Sequence, residues 1–240
     1  MRLYSEVMSN VLKILLWALV ALVSISLLCT IVFAIDVDLY LDYAYSLDGF
    51  VGICASVLYY IVLIIYLIWI YRVHVDLRDL FPFYSRTPGM SLACMMIPFF
   101  NFYGIPSTYY RMGQYMQRLP ATLKQGRFIS GLAAPLITLF FVTSGLNRVI
   151  TRMEEPSATL YLVSSIFDVA LYTLFLVLCI LVSRGLKNAC LSRQSAVSEL
   201  DSPELSTPEL STPELETPKL DAPDWVSNNL SKGIEPNVKG

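Results

Sequence analysis

Four apolar runs, at 14–35, 51–70, 128–150 and 158–182, constrain this chain more than any other feature. Each supplies the ~20 residues that a helix needs to cross the hydrocarbon layer of a bilayer. With 55 % apolar and 15 % charged side chains in 240 residues, and a mean hydropathy of +0.59, lipid rather than water is the expected main solvent. The first run outlasts a signal-peptide core of ~7–15 residues and lacks a small-x-small cleavage site, so it is expected to stay as a helix. The predicted fold class is all-α: an integral membrane four-helix bundle with a short re-entrant or interfacial broken helix and a disordered C-terminal tail.

Orientation follows from where Lys and Arg fall, because cytoplasmic flanks retain positive charge. With four crossings, every Lys and Arg up to Arg193 except Arg148 and Arg152 lies on one side. The loop after the first run carries Asp36, Asp38, Asp42 and Asp48 and no basic residue, which suits the other side. The expected location is the cell membrane, inner or plasma, with multiple passes and both termini cytoplasmic. The net charge of −2 averages a basic membrane-proximal part with an acidic tail, and no nucleic-acid partner is implied.

A fifth apolar stretch, 90–106, decides the topology, since a crossing there inverts everything downstream. It would also divide the basic residues evenly between the two sides and erase the bias. The stretch contains Pro98, Asn101, Gly104 and Pro106, which remove helix donors and loosen the backbone. It is expected to enter from the cytoplasmic side and return there, with Gly104 letting the chain reverse. Such backbone is tolerated at depth where it packs on other helices or lines a wet cavity. Beside it, 71–81 is predicted to extend the second helix, with Arg72 and Asp76 paired at i, i+4, and 109–118 to form another short helix. Tyr109, Tyr110, Tyr115, Arg111 and Arg118 then make a basic, aromatic collar, suited to interfacial anchoring or to anionic lipid headgroups.

The domain division is 1–193 for the membrane part and 194–240 for the tail. From Asp201 a five-residue repeat runs DSPEL, STPEL, STPEL, ETPKL, DAPDW. Proline every fifth residue denies helix and sheet their donors, so a disordered strip with polyproline II character is expected. It serves either as an acidic spacer or as a multivalent docking strip for a cytoplasmic protein, with Trp225 as the anchor and Ser/Thr-Pro sites open to phosphorylation.

Few residues offer chemistry. Asp168 is the ionisable group deep in a span, where a charged carboxylate costs about 2.5–3.5 kcal/mol on insertion scales. Tyr161, Ser164, Ser165 and Tyr172 share its helix face, and Thr138, Ser144 and Asn147 on the third span are placed to answer it. It reads as an interhelical polar clamp or, alternatively, as a proton or cation site. His74, the single histidine, has Asp76 and Asp79 nearby, but H-x-D-x-x-D on a helix does not gather three ligands on one face. The five cysteines lack CxxC spacing and read as small hydrophobes. Gly52-xxx-Ser56 and Gly131-xxx-Pro135 suggest close helix packing within the bundle, and more weakly a homo-oligomer. No catalytic residue, cofactor or metal set is assigned.

The stretch Trp69-Ile70-Tyr71-Arg72, His74, Asp76-Leu77, then Thr87-Pro88-Gly89, then Ile97-Pro98-Phe99-Phe100-Asn101 resembles the bacterial family called domain of unknown function 4328, in its cyanobacterial form. The likeness covers Trp69 to about Ser107, and departs where Met95 and Met96 replace the family's tryptophans and where Pro106 is followed by Ser107 rather than Tyr. It implies a multi-pass fold and no catalytic role. Within the motif, Pro98 frees a carbonyl, Asn101 can satisfy it, and Arg72 and His74 are placed to tie the turn to the bundle. The expected function is an anchoring, interaction or sensory accessory protein with a recruitment tail; the alternative is a small transporter or channel subunit in which Asp168 and Asn101 line a path.

Overall fold

Each apolar run lies within a longer helix. The computed structural model describes residues 3–97, 100–154 and 156–200, without the side chains of residues 100, 101, 197, 199 and 200. In chain order the helices are α1 (Glu6–Ile35), α2 (Tyr45–Leu80), α3 (Pro88–Met96), α4 (Phe100–Met116), α5 (Leu123–Ile150) and α6 (Ala158–Leu200). Among the described residues there is no strand. Helices α1, α2, α5 and α6 are long and apolar enough to span a membrane, and side chains such as Trp17, Ile53, Ile64 and Phe141 point outward from them. This is a multi-pass membrane protein, in which outward apolar surface meets lipid.

The breaks have local causes. The Asp36 carboxylate accepts from the N–H groups of Asp38 and Leu39 and starts a short turn, Val37–Leu39, that passes through a π-helical turn, Tyr40–Ala44, into α2. At the other end Phe81 is extended ahead of Pro82, which stops α2 at Leu80. The Thr-Pro-Gly segment is a helix start: Thr87 Oγ1 accepts from Met90 N at 3.2 Å, and Pro88 occupies the first turn, where its missing N–H costs nothing. Ile97 is extended ahead of Pro98, ending α3.

Helices α3 and α4 form a hairpin, the broken segment expected to be re-entrant or interfacial. Tyr115 near the end of α4 donates its hydroxyl to Phe83 O at 2.9 Å, and its ring meets Tyr84 at 4.9 Å, so the chain leaves the hairpin where it entered. At the tip, Phe102 stacks on Phe141 at 5.0 Å, roughly two-thirds of the way along α5. Gly104 and Pro106 are inside α4, where Gly104 does not make the reversal expected of it, and 109–118 is no separate helix. Gly104 serves instead for close approach, since a Cβ there would collide with the Cys94 carbonyl oxygen. Pro106 removes one helix donor, which the packing of α4 along α5 overrides.

The long helices make an arc, α2–α1–α6–α5, and the hairpin bridges its ends, with α3 against α2 and α4 against α5. Leu12, Leu16, Trp69, Ile70, Tyr109 and Met112 lie in the shared core. Helices α4 and α5 also cross closely, where a Cβ on Gly113 or Gly126 would meet facing backbone at 2.7 Å. Gly52 and Gly131, expected to mediate packing, face nothing within 4 Å. Helix α6 runs to Leu200, past the domain boundary expected at 193, because no proline intervenes before Pro203. The repeat strip and Trp225 lie outside the described residues, as do Pro98 and the Asn101 side chain.

Gly113→Ala and Gly126→Ala should each destabilise the protein by about 1–3 kcal/mol, the usual cost of overpacking, whereas Gly131→Ala should be neutral. Thermal unfolding of the three variants in the same detergent checks this.

Candidate functional site

A polar collar fixes one end of the bundle. Asp76, 2 % exposed, accepts hydrogen bonds from Tyr4 N and Ser5 N, both at 2.9 Å, through its two carboxylate oxygens. Arg72 donates to Tyr4 O at 3.4 Å. The expected Arg72–Asp76 pair is therefore absent: both side chains turn to the backbone that leads into α1, whose free N–H groups and positive helix end suit a carboxylate. Lys13 Nζ donates to Ser183 Oγ at 2.7 Å, and Arg193 donates to Asp79 O, so α6 is held at this end as well.

His74 is fully buried, its Nδ1 bonded to Ile70 O at 2.8 Å and its ring 5.7 Å from that of Tyr84. It lies under the α2–α3 loop and does not bond the hairpin. That link falls to Arg86, which donates to Ser107 Oγ at 3.3 Å. The Tyr84 hydroxyl has no partner, and burial holds it well above the ordinary phenol range.

The hairpin stops short of the far end, and beyond its tip the gap between α2 and α5 stays open. The result is a cavity of about 440 Å³, comparable in size to small-molecule sites. Ile105 of α4, Phe140 and Phe175 line it toward the collar, together with Tyr66, whose hydroxyl lies 3.0 Å from that of Tyr109. Beneath that bonded pair Trp69 and Met112 are fully buried, as is Tyr109 itself. Higher up the walls are Tyr59 and Leu63 of α2, Thr143, Ser144 and Asn147 of α5, and Asp168 and Tyr172 of α6.

Asp168 reaches this cavity half-buried, and it has no hydrogen-bond or ion-pair partner among the described residues. The clamp expected of it is made elsewhere: Ser164 Oγ donates to Asn147 Oδ1 at 3.5 Å, one turn away, while Thr138 Oγ1 donates to Ala134 O on its own helix. Thr143 Oγ1 is also buried and without a partner. Tyr161 is exposed, and Ser165 lies 3.4 Å from Thr30 of α1. Sequence reasoning thus found Asp168, Ser144, Asn147 and Tyr172, and missed Tyr59, Tyr66, Thr143 and the floor. The recurrence of Tyr59, Val62 and Tyr66 at helical spacing was the available signal.

Architecture and cavity define a class, a multi-pass membrane protein with a polar-spotted chamber inside its bundle. No family model, curated protein or solved structure matches the chain. Among the described residues no group of three His, Cys, Asp or Glu side chains gathers to hold a metal ion.

Tyr66→Phe or Tyr109→Phe should each cost about 1–3 kcal/mol, because either change leaves a buried hydroxyl unbonded. The double variant should cost less than the sum of the two, and a double-mutant cycle on unfolding in detergent measures the difference.

Proposed function

We propose that this chain is a non-conducting, sensory accessory protein of the cell membrane, which holds a small ligand in the cavity and recruits a cytoplasmic protein through its tail. The observation that carries this is the closed floor. A chamber sealed by the Tyr66–Tyr109 pair and a fully buried Trp69 is shaped to retain an occupant, not to pass one through. The positive charge gathered at the collar supports a cytoplasmic placement of that end and of both termini. It also suits anionic lipid headgroups there. The burial of His74, with one ring nitrogen tied to its own helix, speaks against general acid-base catalysis and for a non-enzymatic role.

One observation favours the transport alternative: Asp168 stands unpartnered in the cavity, as a relay carboxyl would. Proteoliposomes separate the two. Wild type and Asp168→Asn should both leak protons and monovalent cations no faster than protein-free vesicles; flux that Asp168→Asn removes would establish transport instead.

Cysteine placed at Lys124 should resist an impermeant reagent added outside intact cells, while cysteine at Asp42 should label. Deleting residues 202–225 should abolish partner capture without changing the unfolding midpoint of the bundle. Capture that survives the deletion would remove the recruitment role.

A further inference from the structure

We infer that the occupant of the cavity is an amphipathic organic cation: an ammonium head, primary to quaternary, on an apolar body. This rests on the proposal that the cavity retains a ligand, and adds its chemistry. The cavity's described lining contains one acid, Asp168, and no Lys or Arg. A carboxylate facing a mostly apolar space without a counter-charge is stabilised by whatever positive group enters. The surfaces around it are suited to that group. Tyr172 lies one helical turn from Asp168, and Tyr59 meets it edge-on at 6.3 Å between ring centres, so a cation beside the carboxylate sits among aromatic faces. Tyr66, Phe140 and Phe175 continue the aromatic lining down to the floor.

A second observation is independent of the charge. Thr143 is 8 % exposed, lines the cavity, and leaves its hydroxyl oxygen without a partner. A buried hydroxyl without a bond is left uncompensated for its lost water, so the site is completed by a ligand that brings a polar group to this depth. Asn147 and Ser144 stand beside it with further polar atoms.

The competing occupants fit less well. A lipid acyl chain fills the volume but leaves both Asp168 and the Thr143 hydroxyl uncompensated. A bare metal ion requires several oxygen donors at about 2.0–2.6 Å, and the cavity offers a single carboxylate in a space of about 440 Å³. An organic cation satisfies the carboxylate, the aromatic faces and the apolar volume together.

The test uses the full chain in a neutral maltoside detergent with three probes of equal chain length: octyltrimethylammonium, octanol and octanoate. Saturation-transfer NMR against protein-free micelles measures binding. Octyltrimethylammonium should bind at least tenfold more tightly than octanol, and octanoate should not bind measurably. Asp168→Asn should bring the cation and the alcohol to within about twofold, and Asp168→Glu should restore the preference. Tyr172→Leu should weaken the cation severalfold and leave octanol unchanged, which keeps the inference testable even where Asp168→Asn fails to fold. Ser144→Phe, which fills the chamber, should weaken both.

Equal binding of cation and alcohol, both lost in Ser144→Phe, would overturn the ammonium class while leaving the cavity as a receptor. A cation preference that persists in Asp168→Asn would overturn it too. Binding of all probes untouched by Ser144→Phe would defeat both this inference and the proposed receptor role.

Discussion

A helix that carries Pro106 and two glycines holds only where a neighbouring helix supports it, and the rest of this structure follows from the packing of α4 along α5. The arc of four long helices leaves a gap between α2 and α5, and the α3–α4 hairpin fills the gap from the collar side. Two glycines, Gly113 and Gly126, let α4 and α5 approach backbone to backbone, while Gly104 brings the two arms of the hairpin together. A full transmembrane helix in that place would leave no chamber. Because the wedge stops near Phe102, the space above it remains, and side chains otherwise turned toward a fifth helix now face one another across it.

The collar solves a related problem at the helix ends. The approach to α1 presents backbone donors with no partners of their own, and Asp76 supplies both acceptor oxygens from a neighbouring helix. An ion pair with Arg72 would have used that carboxylate for a surface contact worth little in water. Here it closes the bundle between elements far apart in the chain. Arg86 and Tyr115 do the same for the two ends of the hairpin, so the base of the wedge is bonded on both arms.

Much of the fold was legible because length and hydropathy are local properties. The four spans, the hairpin in place of a fifth crossing, and the extension of the second helix all follow from runs, prolines and charge placement. What escaped depends on which faces meet. Residues 90–106 carry two helix breakers beyond Pro98, and nothing in their order shows that Gly104 and Pro106 would be absorbed into a helix buttressed by α5. Asp76 looked like half of an i, i+4 pair, since its true partners lie some seventy positions earlier. At the site, Asp168 stood out by charge alone, but the aromatic walls could be seen only once α2 and α6 were brought face to face. Glycine spacing misled for the same reason: Gly131 satisfies the motif and faces open space, while Gly113 and Gly126 do the packing without forming one.

Helix α6 carries Asp168 and continues without interruption to Leu200. At ~1.5 Å per residue, the stretch between them is a rod of roughly 48 Å, stiff on the scale of the domain. A tilt of about 5° about the tie at Ser183, with roughly 26 Å of rod beyond it, would swing the far tip by about 2 Å, by the geometry of such a rod. The collar ties this rod at Ser183 and Arg193, close to where it leaves the bundle, and those ties act as a fulcrum. The longest described helix is thus a mechanical lever.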